Sequence, residues 1–228
     1  EVLLDDGKIH LKIVEKPENV VGNGGENTQG KRYFAKVLWG GLLKSRKSAA
    51  LPGAKIYPPT LTNADLANIQ IAKEMGVTGV MQPFVRDHRD LECVKEALRE
   101  AGAEDIRLFA TIENMDGVRK LEELFPAADE IVIARGDLGN AVHLWDLPGV
   151  QRQISEKCRA AGKPFMVVTQ MLASMERSPV PTRAEVNDIF HAVMDGAASI
   201  MVTGETAVGD YPVEVIRYMV NTVRSAEK

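Results

Sequence analysis

The chain has 228 residues, 45% of them hydrophobic and 26% charged, which is the balance of a globular domain and excludes a disordered or fibrous one. A net charge of −4 with no long run of Lys or Arg excludes the electrostatic footprint of a nucleic-acid binder, and no run approaches the roughly 20 apolar residues of a membrane span. Only Cys93 and Cys158 are present and the four His residues are scattered without zinc-type spacing, so neither a disulfide framework nor a zinc site is expected, and a reducing compartment is, either the cytoplasm or an organelle matrix.

Glu1 has no initiator Met before it and Val2 to Leu4 already reads as a strand, so a fragment, a processed product or a chain with flanking parts outside this sequence is expected. Ile9 to Val14 alternates Ile9, Leu11 and Ile13, and with Val2 to Leu4 it brackets a turn at Asp6-Gly7, the pattern of a hairpin. A Gly/Asn loop is expected over 22–30 and a further strand from Tyr33 to Trp39. The short basic patch of Lys44, Arg46 and Lys47 reads as a solvated turn.

From Pro52 onward the period changes. A helix is predicted from Thr62 to Glu74, with Thr62 as its cap, Asp65 three residues later and Gly76 at its stop. Val77 to Val85 is predicted as a strand and Leu91 to Glu100 as a helix. Two apolar runs follow, Ile106 to Ile112 and Glu130 to Arg135, each too short for a helix and read as buried parallel strands. Between them Val118, Leu121, Leu124 and Phe125 draw the stripe of an amphipathic helix over Gly117 to Phe125. Ile154 to Ala160 is predicted helical and Phe165 to Thr169 a strand; Thr182 and Glu185 write a capping box for a helix that runs to Asp195. Ser199 to Thr203 is the last strand and Val213 to Ala226 the last helix. Strands alternating with helices predict a parallel α/β fold.

In such a sheet Glu113, which closes one strand, and Asp137, just past the next, fall at the same C-terminal edge, where α/β folds build their sites. Two carboxylates there suit a hard divalent cation such as Mg²⁺, which takes one or two carboxylates and completes its shell with water and substrate oxygens. Two solvated residues at strand ends would have the same spacing.

ATIEN followed by IARGDLG, then VVTQMLASM, SPVPTRAEVNDIFHAVMDGA and IMVTGETAVGDYP, in that order, resembles the pyruvate kinase family. The resemblance implies that residues 53–228 are the C-terminal part of a (β/α)₈ TIM barrel, strands four to eight, in an α/β fold. It also implies that residues 1–52, through LLDDGKIHLKIVE and the LPG at Leu51 to Gly53, are part of the small β domain inserted after the third barrel strand. That domain is read either as a lid over a nucleotide or as a β module that only packs. Five strands of eight leave two open edges, so another chain or segment completing the barrel, and an oligomer or larger assembly, are implied.

The family reaction is Mg²⁺-dependent phosphoryl transfer between phosphoenolpyruvate and ADP, giving pyruvate and ATP. Carried onto this sequence, Glu113 and Asp137 become the metal ligands, the backbone of Ala134, Arg135 and Gly136 the cradle for the substrate carboxylate, and Thr169 the hydroxyl beside the enolate. The family's K⁺ ligands and an Arg for the phosphate belong to front strands outside this sequence. The chain departs from the pattern at Thr111, where the family places the Lys that contacts the phosphoryl group; Thr111 shares the strand parity of Glu113. It departs again at Gln82-Pro83-Phe84, which loses a hydroxyl and, with Pro83, a ladder donor, and at Val208, where the family has Lys.

The expectation is therefore a pyruvate-kinase-like pseudoenzyme with degenerate catalysis that serves as a structural or assembly subunit. Two alternatives stand beside it: an active pyruvate kinase completed by segments outside this chain, and a Mg²⁺-dependent lyase or decarboxylase acting on a small 2-oxo acid. Retention of Glu113, Asp137 and Thr169 fits continued binding of Mg²⁺ and a 2-oxo acid such as pyruvate. It fits equally a buried polar network of Glu113, Asn114 and Arg135 that the packing needs.

Overall fold

A computed structural model describes residues 1–5, 7–15, 18–20, 30–45, 47–54 and 56–228, with the backbone alone over 18–20 and 30–32. Asp6 of the expected turn, Arg46 of the basic patch and all but the last residue of the loop expected over 22–30 lie outside the described residues. The chain divides into two compact units, Glu1–Ile56 and Tyr57–Lys228.

The first unit carries β1 (Val2–Leu4), β2 (Ile9–Ile13), β3 (Glu18–Val20), β4 (Gly30–Arg32), β5 (Ala35–Trp39) and β6 (Ala49–Ala50). Four of them form a sheet in the order β5-β2-β1-β6, and β3 pairs with β4. Leu4 opposite Ile9 and Val2 opposite Leu11 close β1 and β2 as the hairpin that their alternation predicts, with Gly7 at a φ of 80° in the turn, a conformation glycine adopts without penalty. Ile9 and His10 are buried, and the His10 ring meets Trp39 edge-on at 4.3 Å. Lys47 of the basic patch, expected to be only solvated, is tied back to Asp5 at 2.8 Å.

The second unit runs α1 (Asn63–Ala72), β7 (Gly79–Gln82), α2 (His88–Glu100), β8 (Arg107–Ile112), α3 (Met115–Arg119), α4 (Leu121–Leu124), β9 (Glu130–Ala134), α5 (Arg135–Ala141), α6 (Leu147–Ala160), β10 (Phe165–Val168), α7 (Arg183–Met194), β11 (Ser199–Met201), α8 (Gly204–Ala207) and α9 (Pro212–Ala226). Its five strands are all parallel and stand in sequence order, β7 to β11, the winding of a barrel segment. Side-chain alternation divides the sheet between two cores. Leu108, Ala110, Ile112, Ile131, Ile133, Phe165 and Val167 pack under the helices. Val132, Ala134, Met166 and Val168 form the opposite face, against Phe109 and Met201. Among the described residues no helix is long and apolar enough to cross a membrane.

Both capping boxes are formed, Thr62 with Asp65 and Thr182 with Glu185. Several elements differ from the sequence pattern, α6 among them, which starts at Leu147 and not at Ile154. The helix expected over Gly117 to Phe125 starts earlier and breaks at Lys120, whose φ of −102° and ψ of 16° leave the α region. Asn114 caps its start, accepting from the Gly117 amide at 2.9 Å, and a Cβ at Gly117 would lie 2.6 Å from the Val85 carbonyl, so a glycine is required for α3 to press that closely. The re-aimed second piece then buries Leu121 and Leu124. The strand expected from Val77 to Val85 contracts to β7, which ends at Gln82 immediately before Pro83. Finally, α5 forms over a segment to which the sequence pattern assigned no element, its Leu138 fully buried.

Cys93 is exposed on α2, whereas Cys158 is buried on α6, where burial pushes its thiol up to about 12. One thiol per chain is expected to react promptly with a maleimide at neutral pH, and the second only in denaturant. Rapid labelling of both in the native protein would contradict the packing of α6.

Candidate functional site

The parallel order of β8 and β9 places Glu113, the residue after β8, and Asp137, in the first turn of α5, at one edge of the sheet. Their charges feel one another. Burial pushes the Glu113 carboxyl up to about 7, and the negative charge of Asp137 adds to the rise. Two hydrogen-bond donors oppose it: the backbone amide of Phe84, 2.7 Å from Glu113 Oε2, and the Thr111 hydroxyl. A helix start favours the Asp137 carboxylate. A half-buried carboxylate that resists ionising beside a second one is a donor set that fits a hard divalent cation. Among the described residues no group of three or more His, Cys, Asp or Glu side chains could hold a metal; a cation held by the carboxylate pair would therefore need water or ligand oxygens to complete its shell.

Thr111 lies on the inner face of β8, 6% exposed. Its hydroxyl donates to the Gln82 carbonyl at 3.0 Å, and the same single hydrogen is the one that can turn to Glu113. The position is therefore occupied by a neutral group tied across to the neighbouring strand. Pro83 lies just beyond Gln82, the last paired residue of β7, so its missing N–H is not withdrawn from the strand pairing as the sequence suggested; Val85 then donates to the Thr111 carbonyl at 3.3 Å. Val208 stands exposed after α8.

Thr169 follows β10 with a φ of 74°, unusual for a β-branched residue. Its Oγ1 accepts the Gly136 amide at 2.8 Å, and its carbonyl accepts from Arg135 Nε at 3.2 Å and Nη2 at 2.7 Å. Of the three residues expected to cradle a carboxylate, Ala134 ends β9 and gives α5 no side-chain cap, Arg135 opens α5, and the amide of Gly136 is already engaged by Thr169. The Arg135 guanidinium turns to both carboxylate oxygens of Asp188, at 2.8 and 2.7 Å, and Asn114 to the Gly117 amide and the Val85 carbonyl. These bonds do not link Glu113, Asn114 and Arg135 into the polar network the sequence left open.

Sequence reasoning missed the Phe84 amide, Asp188 and Glu205. Phe84 reaches Glu113 because the backbone after Pro83 takes a φ of 53°, which nothing in the residue types announces. Glu205, 2% exposed, accepts the Leu172 and Thr203 amides at 3.2 and 2.8 Å. An acid inside an otherwise closed motif, as at Asp188 and Glu205, was the only available signal.

The family description "Pyruvate kinase, barrel domain" matches residues 1–216. A pyruvate kinase of Bacillus licheniformis is 37% identical over 227 residues, 100% of this chain and 37% of the relative. That of Geobacillus stearothermophilus is 39% identical over 219 residues, 96% of this chain and 36% of the relative. That of Aeropyrum pernix is 38% identical over 227 residues, 100% and 47% respectively. The chain thus spans less than half the length of these curated relatives.

A carboxyl raised from 4.5 to about 7 by folding binds more protons folded than unfolded, so its contribution to stability is present below the unfolded value and is lost as pH rises towards the folded one. In chelator-treated protein, stability relative to Glu113→Gln is expected to fall between these two values by about 3 kcal/mol, at about 1.36 kcal/mol per unit. Parallel denaturation curves for the two proteins across that range would contradict the assigned environment of Glu113.

Proposed function

The chain belongs to the pyruvate kinase family, and from that premise we propose that its carboxylate pair still takes Mg²⁺ and a small 2-oxo acid while phosphoryl transfer has become degenerate. On this reading the segment serves in binding and assembly, not in making ATP at the family's rate. The observation that supports it is that Thr111, at the position where the family resemblance puts the phosphoryl-contacting Lys, is a buried neutral hydroxyl bonded to the Gln82 carbonyl. Phosphoryl transfer leaves a protein little to do beyond positioning and stabilising charge. A cationic side chain in that role is worth roughly 10³ to 10⁵ in rate, or about 4–7 kcal/mol. A neutral hydroxyl does not supply it. Arg135, the cation of the neighbouring motif, is committed to Asp188.

What supports binding is that Glu113 and Asp137 share one edge of the sheet and that the charge of Asp137 is felt at Glu113; together they would hold Mg²⁺. Bound there, Mg²⁺ supplies Lewis-acid polarisation of carbonyl and carboxylate oxygens. The chain's own residues do the rest. Glu113 would bind the ion as a carboxylate, the Phe84 amide donates to that carboxylate at 2.7 Å, and Thr169 offers a hydroxyl at the mouth of β10. The same set favours a second reading, a lyase or decarboxylase acting on a 2-oxo acid, because that chemistry needs the metal but no cation for a phosphoryl group.

Thr111→Lys is the test. Pyruvate formation from phosphoenolpyruvate and ADP is expected to rise by roughly 10³ or more over the natural protein, with Mg²⁺ affinity little changed. A natural protein that already turns over briskly, and is indifferent to the substitution, would mean that another group supplies the charge and that an intact kinase is the better reading. Mg²⁺-dependent loss of oxaloacetate above background, abolished in Glu113→Gln, would favour the lyase.

A further inference from the structure

The loop after β10 opens with two consecutive non-glycine residues in left-handed backbone, Thr169 at φ 74° and Gln170 at φ 54°. Such a pair persists only where its surroundings over-determine it. Two carboxylates of α7, three positions apart and so on one face, grip the loop at both ends. Asp188 holds the Arg135 guanidinium, whose other nitrogens donate to the Thr169 carbonyl. Glu185 accepts the Ser174 amide at 2.7 Å and its hydroxyl at 2.6 Å, and is itself fixed by the Thr182 amide and hydroxyl. The guanidinium is only 11% exposed; without Asp188 it would be left with a carbonyl and the Met171 sulfur at 2.8 Å, poor company for a buried charge.

Thr169 has a task that depends on this grip. Ala134 caps α5 with no side chain, and the second amide of a helix has no partner within it. Thr169 Oγ1 supplies that partner from across the sheet by accepting the Gly136 amide. We propose that Asp188 is a positioning residue: through Arg135 it pins the Thr169 carbonyl, and so aims the Thr169 hydroxyl at the start of α5, the helix that carries Asp137. Glu185 plays the corresponding part at the far end of the loop. The arrangement concerns the shape of the site's rim, and it holds whether or not Glu113 and Asp137 take a metal.

Amide hydrogen exchange of the Gly136 N–H, compared with that of Gly117, reads this directly. Both are helix-start amides held by a side-chain oxygen, but Gly117 is held by Asn114 in a different loop. In Asp188→Asn the Gly136 amide is expected to exchange about tenfold faster or more, with Gly117 unchanged. Should that variant not fold, Asp188→Glu keeps the charge at a shifted reach and is expected to accelerate Gly136 by a few-fold, again selectively. Unchanged exchange at Gly136, or equal acceleration at both amides, would overturn the proposal, the second because it marks a loss of stability everywhere.

Discussion

The charge of Asp137 is felt at a Glu113 carboxyl that is largely kept from water, at one edge of the sheet. Glu113 is raised to about 7 by burial and by Asp137; the backbone answers with a single amide, from Phe84. Asp137 sits in the first turn of α5, where the helix start offsets part of its charge. On the proposed reading a divalent cation would neutralise both acids here, while Thr111, beside them on β8, brings no charge of its own.

The supports of this edge are charged groups bonded to backbone and to one another. Arg135 and Asp188 join the start of α5 to α7, and Glu205 ties the Leu172 amide to the exit of β11. The segment from Pro181 to Glu185, read in the sequence as a capping box, carries a second duty, since Glu185 both closes that box and holds Ser174. Buried charges of this kind are tolerated because each is paired and hydrogen-bonded. They make the loop after β10 a rigid object on which a left-handed Thr169 can be kept.

Much of this was legible in the residues. Short apolar runs followed by acidic residues marked β8 and β9, and their parallel pairing followed from the helix between them, so the place of Glu113 and Asp137 at one edge of the sheet was legible in the sequence. Capping residues located α1 and α7. What could not be read was set by tertiary contact. The α5 helix has two internal glycines and no capping side chain in its own sequence; it forms because Leu138 is buried and Thr169 caps it from another strand. The break at Lys120 reflects where the core lies, and the Asp188 partnership spans 53 positions of sequence, beyond the reach of local pattern.

The account turns on a separation of binding from transfer. The most direct measurement follows one turnover of phosphoenolpyruvate and ADP on the natural protein at saturating Mg²⁺, with bound ligand and newly formed ATP quantified in the same sample. The account predicts a ligand complex that requires Mg²⁺ and yields almost no ATP on the timescale of an ordinary kinase turnover, about 1 s or less. ATP appearing within that time would contradict it, and so would a protein that binds neither Mg²⁺ nor the ligand.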